Sequence, residues 1–163
     1  MEQECCPRFN SKKWDKKTFI WRNKKFIKET IPTFFHIPFP PMIGSRIAKM
    51  CKLIEKSKAK FQKKEDVLVL FRDPSAFKSE IYISVIGKIL NANNVNISGK
   101  FMTKTFDGEY NAVPKFVKHM NKYLKEKGKK IPKHSDYYIH YAYCPKCAKK
   151  YGHNAMILFA RIK

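Results

Sequence analysis

Glu80 is the residue whose surroundings in sequence best equip it for chemistry. In Ser79-Glu80-Ile81-Tyr82-Ile83-Ser84-Val85 the residues Ile81, Ile83 and Val85 alternate with Glu80, Tyr82 and Ser84, the two-residue period of a strand. A carboxylate that shares a face with Tyr82 and lies near Phe77 is expected to be partly desolvated. Its proton affinity then rises, which makes it a competent general base near neutral pH. In a chain of 13 acidic and 35 basic residues it is equally an anionic anchor for a cation, with aromatic faces adding cation–π attraction. The plainer reading is a solvent-facing carboxylate beside Lys78. Glu109 is the second candidate. It is expected at the start of a helix, where free amides and the helix dipole already favour an acid; if that turn lines a cleft, Glu109 and Tyr110 help to position a water. His36 and His140 fall on predicted strands, where either a proton shuttle or a structural histidine fits.

The run Tyr137-Tyr138-Ile139-His140-Tyr141-Ala142-Tyr143 places Tyr137, Ile139, Tyr141 and Tyr143 on one face of a strand. So many tyrosines form either a pocket wall or an ordinary half-buried pleated surface. The residues expected to contact a ligand are Phe77, Tyr82, Tyr110 and Tyr137, with position 139 on the same face. The cysteines form a second constellation. Cys144-Pro145-Lys146-Cys147 reads as a turn with the spacing of a zinc knuckle, to which Cys5 and Cys6 would add two thiolates of a closed, structural tetrahedral site. A redox dithiol and plain reduced thiols are the competing readings. No cofactor is required by either carboxylate. The chain has no Gly-rich phosphate loop, no Gly-x-Ser-x-Gly elbow and no His-Glu-x-x-His.

The elements that must position these residues come in one order given twice. From Ile31 to Val85 the signals run strand (33–37), helix (42–58), strand (67–71), strand (81–85). From Val95 to Ile162 they run strand (97–106), helix (112–127), strand (137–143), strand (155–162), offset by roughly 70 residues. Ile43, Ile47, Met50, Cys51 and Ile54 make one buried stripe of the first helix, and Val113, Phe116, Val117, Met120, Tyr123 and Leu124 make that of the second. Before the repeats, Thr18 to Trp21 and Phe26 to Lys28 flank Arg22-Asn23-Lys24-Lys25, which predicts a short hairpin. The expected fold is α+β. Two pseudo-symmetric strand-helix-strand-strand repeats (31–90 and 91–163), after a lead-in and hairpin (1–30), form one antiparallel-rich sheet. Two helices lie on one side and a ligand groove on the other, in a single domain spanning 1–163.

Composition narrows the functional classes. The 163 residues are 44% hydrophobic and 14% aromatic, enough for one well-buried core. No run of about 18 apolar residues occurs, and Met1-Glu2-Gln3-Glu4-Cys5-Cys6 lacks the basic and apolar regions of a secretion signal. A soluble, cytoplasmic protein with no membrane partner is expected. The formal charge of +22 invites a nucleic-acid partner. Against it, Arg8, Arg22, Arg46, Arg72 and Arg161 are the only arginines among 35 basic residues, whereas base and bidentate phosphate recognition favours the guanidinium. The lysines are also spread along the chain. A solvated basic surface is the simpler account.

With the junction Thr105-Phe106-Asp107-Gly108-Glu109-Tyr110 leading into the second helix, this repeat resembles the GyrI-like (gyrase-inhibitor-like) small-molecule-binding superfamily. The usual family junction has an aromatic or histidine, one residue, then Gly-Pro-Tyr; here Glu109 replaces the proline. The chain is similar over nearly its whole length to short stand-alone bacterial proteins labelled hydrolase. They share Cys5-Cys6-Pro7, Ser98-Gly99-Lys100-Phe101 and the segment from Cys144 through Gly152. The resemblance implies a cleft with a glutamate, here Glu80, which pairs with lipophilic cations in binding members and serves as a base or water-orienting group in hydrolytic ones. It leaves open a hydrolase or detoxifying enzyme acting on an aromatic or lipophilic ligand, and a binding or sensing module without turnover. A basic, zinc-bearing nucleic-acid binder is the third class. Oligomeric state is not legible in the sequence.

Overall fold

The computed structural model describes residues 8–162 apart from 36, 39, 58–65, 110, 111 and 144. In chain order the elements are α1 (Ser11–Trp14), β1 (Thr18–Phe34), β2 (Ile37–Pro38), α2 (Pro40–Lys56), β3 (Val69–Ser75) and β4 (Lys78–Ser84). There follow β5 (Asn94–Asp107), α3 (Val113–Glu126), β6 (Tyr137–Tyr141), α4 (Pro145–Tyr151) and β7 (Ala155–Arg161). Two compact units result: an inner unit of residues 21–98 and a terminal unit of the residues up to 20 and from 99 onward. Both are α+β, and the pairings β1–β2, β1–β4, β3–β4, β5–β7 and β6–β7 are antiparallel.

In the inner unit β4 is central, paired with β1 from Phe26↔Ser84 to Pro32↔Lys78 and with β3 from Val69↔Ile83 to Ser75↔Lys78. The pleat sorts its residues. Ile27, Ile31, Ile81 and Ile83 face α2, whose stripe brings Met50 and Ile54 into a buried core with Ile43, Ile47 and Cys51 packed against it. Burial, reinforced by Glu55, pushes the Cys51 thiol up from its ordinary range, as expected for a packing residue. The opposite face carries Phe26, Lys28 and Thr30, Leu70 and Arg72, and Glu80, Tyr82 and Ser84.

Two sequence expectations are corrected here. The polar run 22–25 does not turn the chain; β1 runs through it as one strand of 17 residues. Asn23 absorbs the irregularity in a left-handed conformation (φ 51°), which asparagine tolerates, and its N–H donates to Ser98 Oγ at 2.8 Å. Likewise the strand expected at 67–71 is found at Val69–Ser75, so 72–75 belong to β3 and the turn lies at Ala76 and Phe77. Buried Thr33 clamps that turn, donating from its N to Phe77 O (3.0 Å) and from its hydroxyl to Ala76 O (2.9 Å).

In the terminal unit β7 is central, paired with β5 from Phe101↔Arg161 to Asp107↔Ala155 and with β6 from Tyr137↔Ala160 to Tyr141↔Met156. α3 covers one face: Phe116, Met120, Tyr123 and Leu124 pack on Met102, Tyr137, Met156, Leu158 and Ala160. The lead-in is ordered onto the other, where Trp14 and Phe19 meet Phe159 with ring centroids 6.2 Å away. It is also tied at the backbone: Thr103 N donates to Lys17 O (2.9 Å) and Thr105 N to Asp15 Oδ1 (3.0 Å). Between β6 and β7 the expected knuckle turn is instead the helix α4, with Pro145 as its first residue.

Candidate functional site

Glu80 stands at the centre of a charged cluster on the inner sheet's face away from α2. The register sets Arg72 directly across from it and Lys28 two residues along on the other neighbour, next on the same face. Arg72 Nη1 lies 2.6 Å from Glu80 Oε1, and Lys28 Nζ is paired with Oε2. The Glu80 side chain is 3% exposed, whereas those of Lys28 and Arg72 are 25% and 24% exposed. Burial by itself would raise the proton affinity of this carboxyl. The hydrogen bonds and charges of Lys28 and Arg72 outweigh it, and the carboxyl is held below its ordinary range. The sequence-based expectation of a raised proton affinity is therefore corrected: Lys28 and Arg72 favour the ionised form of Glu80.

Aromatic rings continue the face. Lys28 Nζ lies 5.8 Å from the centre of the Tyr82 ring, Tyr82 meets Phe26 edge to face at 6.1 Å, and Phe26 meets Trp21 at 5.8 Å. Lys24 covers the far end, 5.7 Å from the Trp21 ring centre and 6.0 Å from that of Phe26. Burial there lowers its proton affinity, with nearby Asp66 acting in the opposite sense.

The other expected site residues are distributed differently. Phe77, at the β3–β4 turn, is 59% exposed and clusters with Phe34 and Phe35, themselves 65% and 62% exposed. Tyr137, Ile139 and Tyr141 face α3 as part of the terminal unit's core. Tyr137 is buried, and its hydroxyl donates to Asn121 Oδ1 on α3. Burial pushes its phenol up to about 12. Of the two readings left open for that face, its burial against α3 fits packing. The face away from α3 instead holds Tyr138, stacked edge to face on Phe101 at 5.9 Å, and His140.

Glu109 is exposed and lies on an open cleft of about 650 Å³ in the terminal unit, with Gly108, Ala148, Lys149, Gly152, His153 and Asn154. His153 Nδ1 is 3.0 Å from Asp107 Oδ2 there. Gly108 and Glu109 belong to the junction motif and Ala148, Lys149 and Gly152 to the segment from Cys144 through Gly152, but neither motif shows that the two meet, because they are distant in the chain. Tyr110, His36, Cys5, Cys6 and Cys144 lie outside the described residues. Cys147 is buried in a small cluster with Tyr143 and Ala155. Among the described residues no group of three or more His, Cys, Asp or Glu is placed to hold a metal, and no helix is long and apolar enough to cross a membrane.

The profile of a family described as bacterial hydrolase matches residues 1–162. The chain belongs to the bacterial hydrolase family. Among solved structures this family member is similar to that of SAV2435 bound to tetraphenylphosphonium, at 15% identity and a TM-score of 0.51, with 91% of this chain and 94% of that chain covered. The likeness establishes a shared fold. A Staphylococcus aureus MU50 protein proposed to act in bacterial transcription regulation aligns at 14% identity and a TM-score of 0.47, covering 91% and 99% of the two chains. No curated protein is matched.

Proposed function

We propose that this bacterial hydrolase family member binds an aromatic or lipophilic small cation at Glu80 and Tyr82, and that Lys28 is the resident cation the ligand displaces. The observation that carries the reading is the position of the Lys28 ammonium, at once paired with the Glu80 carboxylate and over the Tyr82 ring. A ligand cation would need those same two partners. Lys24 repeats the arrangement over Trp21 and Phe26, so an aromatic ladder already offers its faces to positive charge. The tetraphenylphosphonium held by SAV2435 belongs to the same chemical class. We read the two units as halves of a GyrI-like repeat in a cytoplasmic protein, supported by the strand-helix-strand-strand order in each and by the fold likeness.

Calorimetric titration with tetraphenylphosphonium tests the reading. Lys28→Met removes the competing cation and should tighten binding about tenfold, while Glu80→Gln should weaken it by about as much or more. Weaker binding by Lys28→Met would overturn the displacement mechanism. The family's description favours a second reading, hydrolysis with Glu80 orienting or deprotonating water. The low proton affinity of Glu80 makes it a weak base, so turnover would depend on its hydrogen bonds to water more than on proton uptake. In that case Glu80→Gln lowers turnover about a hundredfold and leaves ligand affinity largely intact.

A further inference from the structure

Beside the terminal unit's cleft lies an unanswered demand for hydrogen bonds. Asn154 is 6% exposed and lines the cleft, and its side-chain Oδ1 and Nδ2, both buried, have no hydrogen-bond partner among the described residues. Buried amides are paired in the great majority of cases, because an unpaired one forfeits the bonds that water would give it. The backbone around it is fixed: Asn154 O accepts from Gly108 N at 3.1 Å, and the preceding His153 is held by Asp107. The backbone is thus anchored while the polar end of the side chain stays unmatched.

We propose that this cleft binds a small neutral molecule carrying an amide, an N–H beside a C=O as in primary carboxamides and lactams, and that the Asn154 amide turns into the cleft to pair with it. The class follows from the valences of asparagine. One acceptor beside one donor pair is satisfied at both ends only by a group with adjacent donor and acceptor. A carboxylate would serve Nδ2 alone, and an ammonium Oδ1 alone. The rim agrees. Although the chain carries +22, the cleft has Glu109 and nearby Asp107 against Lys149, so it does not share the basic character that would select an anion. The contact of His153 Nδ1 with Asp107 leaves Nε2 as the ring nitrogen available to a ligand. This inference is independent of the Glu80 reading, which concerns the inner unit.

The test is NMR titration of the isotopically labelled full chain with benzamide, benzoate and benzylammonium, three probes of nearly one shape. Benzamide should give saturable shifts at Gly108, Gly152, the His153 ring and the Asn154 side-chain amide, and bind at least about tenfold better than either charged probe. Asn154→Leu should keep the fold, melt no lower than the parent, and lose the benzamide response. The proposal is overturned if benzamide up to about 10 mM moves none of these resonances, if a charged probe binds as well, or if Asn154→Leu still binds. Loss of the fold in Asn154→Leu overturns it equally, since that would mean the amide is already satisfied within the protein.

Discussion

Glu80 links stability to pH in a direction that can be worked out from its partners. Its folded-state proton affinity is lowered, so its contribution is fully present above the unfolded carboxylate range and is lost as pH falls through the folded value. Glu80→Gln removes the charge that Lys28 and Arg72 both pair with, but both reach solvent, so the cost should be about 2 kcal/mol rather than the larger penalty of a fully buried orphan charge. The gap in melting temperature between parent and variant should be widest near neutral pH and close on acidification; a gap that widens in acid would refute the pairing. Tyr137 provides a second check. Its phenol should ionise near pH 12 in a spectrophotometric titration, and Tyr137→Phe should cost about 1 kcal/mol for the bond to Asn121. The contrast between these residues marks what was readable in sequence. The alternation that puts Glu80 and Tyr82 together was legible; the partners Lys28 and Arg72 were not, because they depend on cross-strand register, which a single strand does not encode.

At the scale of elements, the helices were the most legible because their stripes are long and the packing they imply is unambiguous. Met120 of α3 is fully buried among Phe116, Leu124, Met156 and Leu158, and Met120→Ala should cost about 2–5 kcal/mol in chemical unfolding. Turns were less legible, because polar runs and proline serve more than one geometry. The run 22–25 fits a hairpin but is carried inside β1 by Asn23. Pro145 reads as a turn former, yet it opens α4, where a missing N–H costs nothing. Gly108 shows the reverse case, a motif residue whose physical reason appears only in the fold. A Cβ there would lie 2.7 Å from Phe116 Cζ, and that ring is stacked on Phe106 at 4.7 Å. Gly108→Ala should therefore destabilise by about 1–3 kcal/mol by displacing a core ring, and Gly108→Ala with Phe116→Leu should recover part of the loss.

For the whole molecule the deciding quantity is charge. If all 13 acidic residues were paired, 35 basic residues would still leave 22 positive charges uncompensated. Self-repulsion of this kind destabilises a compact state and is relieved by screening, the Debye length falling from about 30 Å at 0.01 M to about 8 Å at 0.15 M salt. Salt also weakens ion pairs such as Glu29 with Arg46 and Lys49, at 3.4 and 3.1 Å, but exposed pairs are worth only about 0–1 kcal/mol each. The buried Glu80 cluster is screened less. Relief of repulsion should win, so the melting temperature should rise between about 10 and 150 mM sodium chloride, by about 2–4 °C for each kcal/mol gained. Sodium phosphate at matched ionic strength separates two origins of the effect. An equal rise means general screening of a lysine-rich surface, whereas a clearly larger rise with phosphate means a specific anion site and would revive the nucleic-acid reading. A fall with added chloride would mean that ion pairs, not net charge, dominate the electrostatics of this fold.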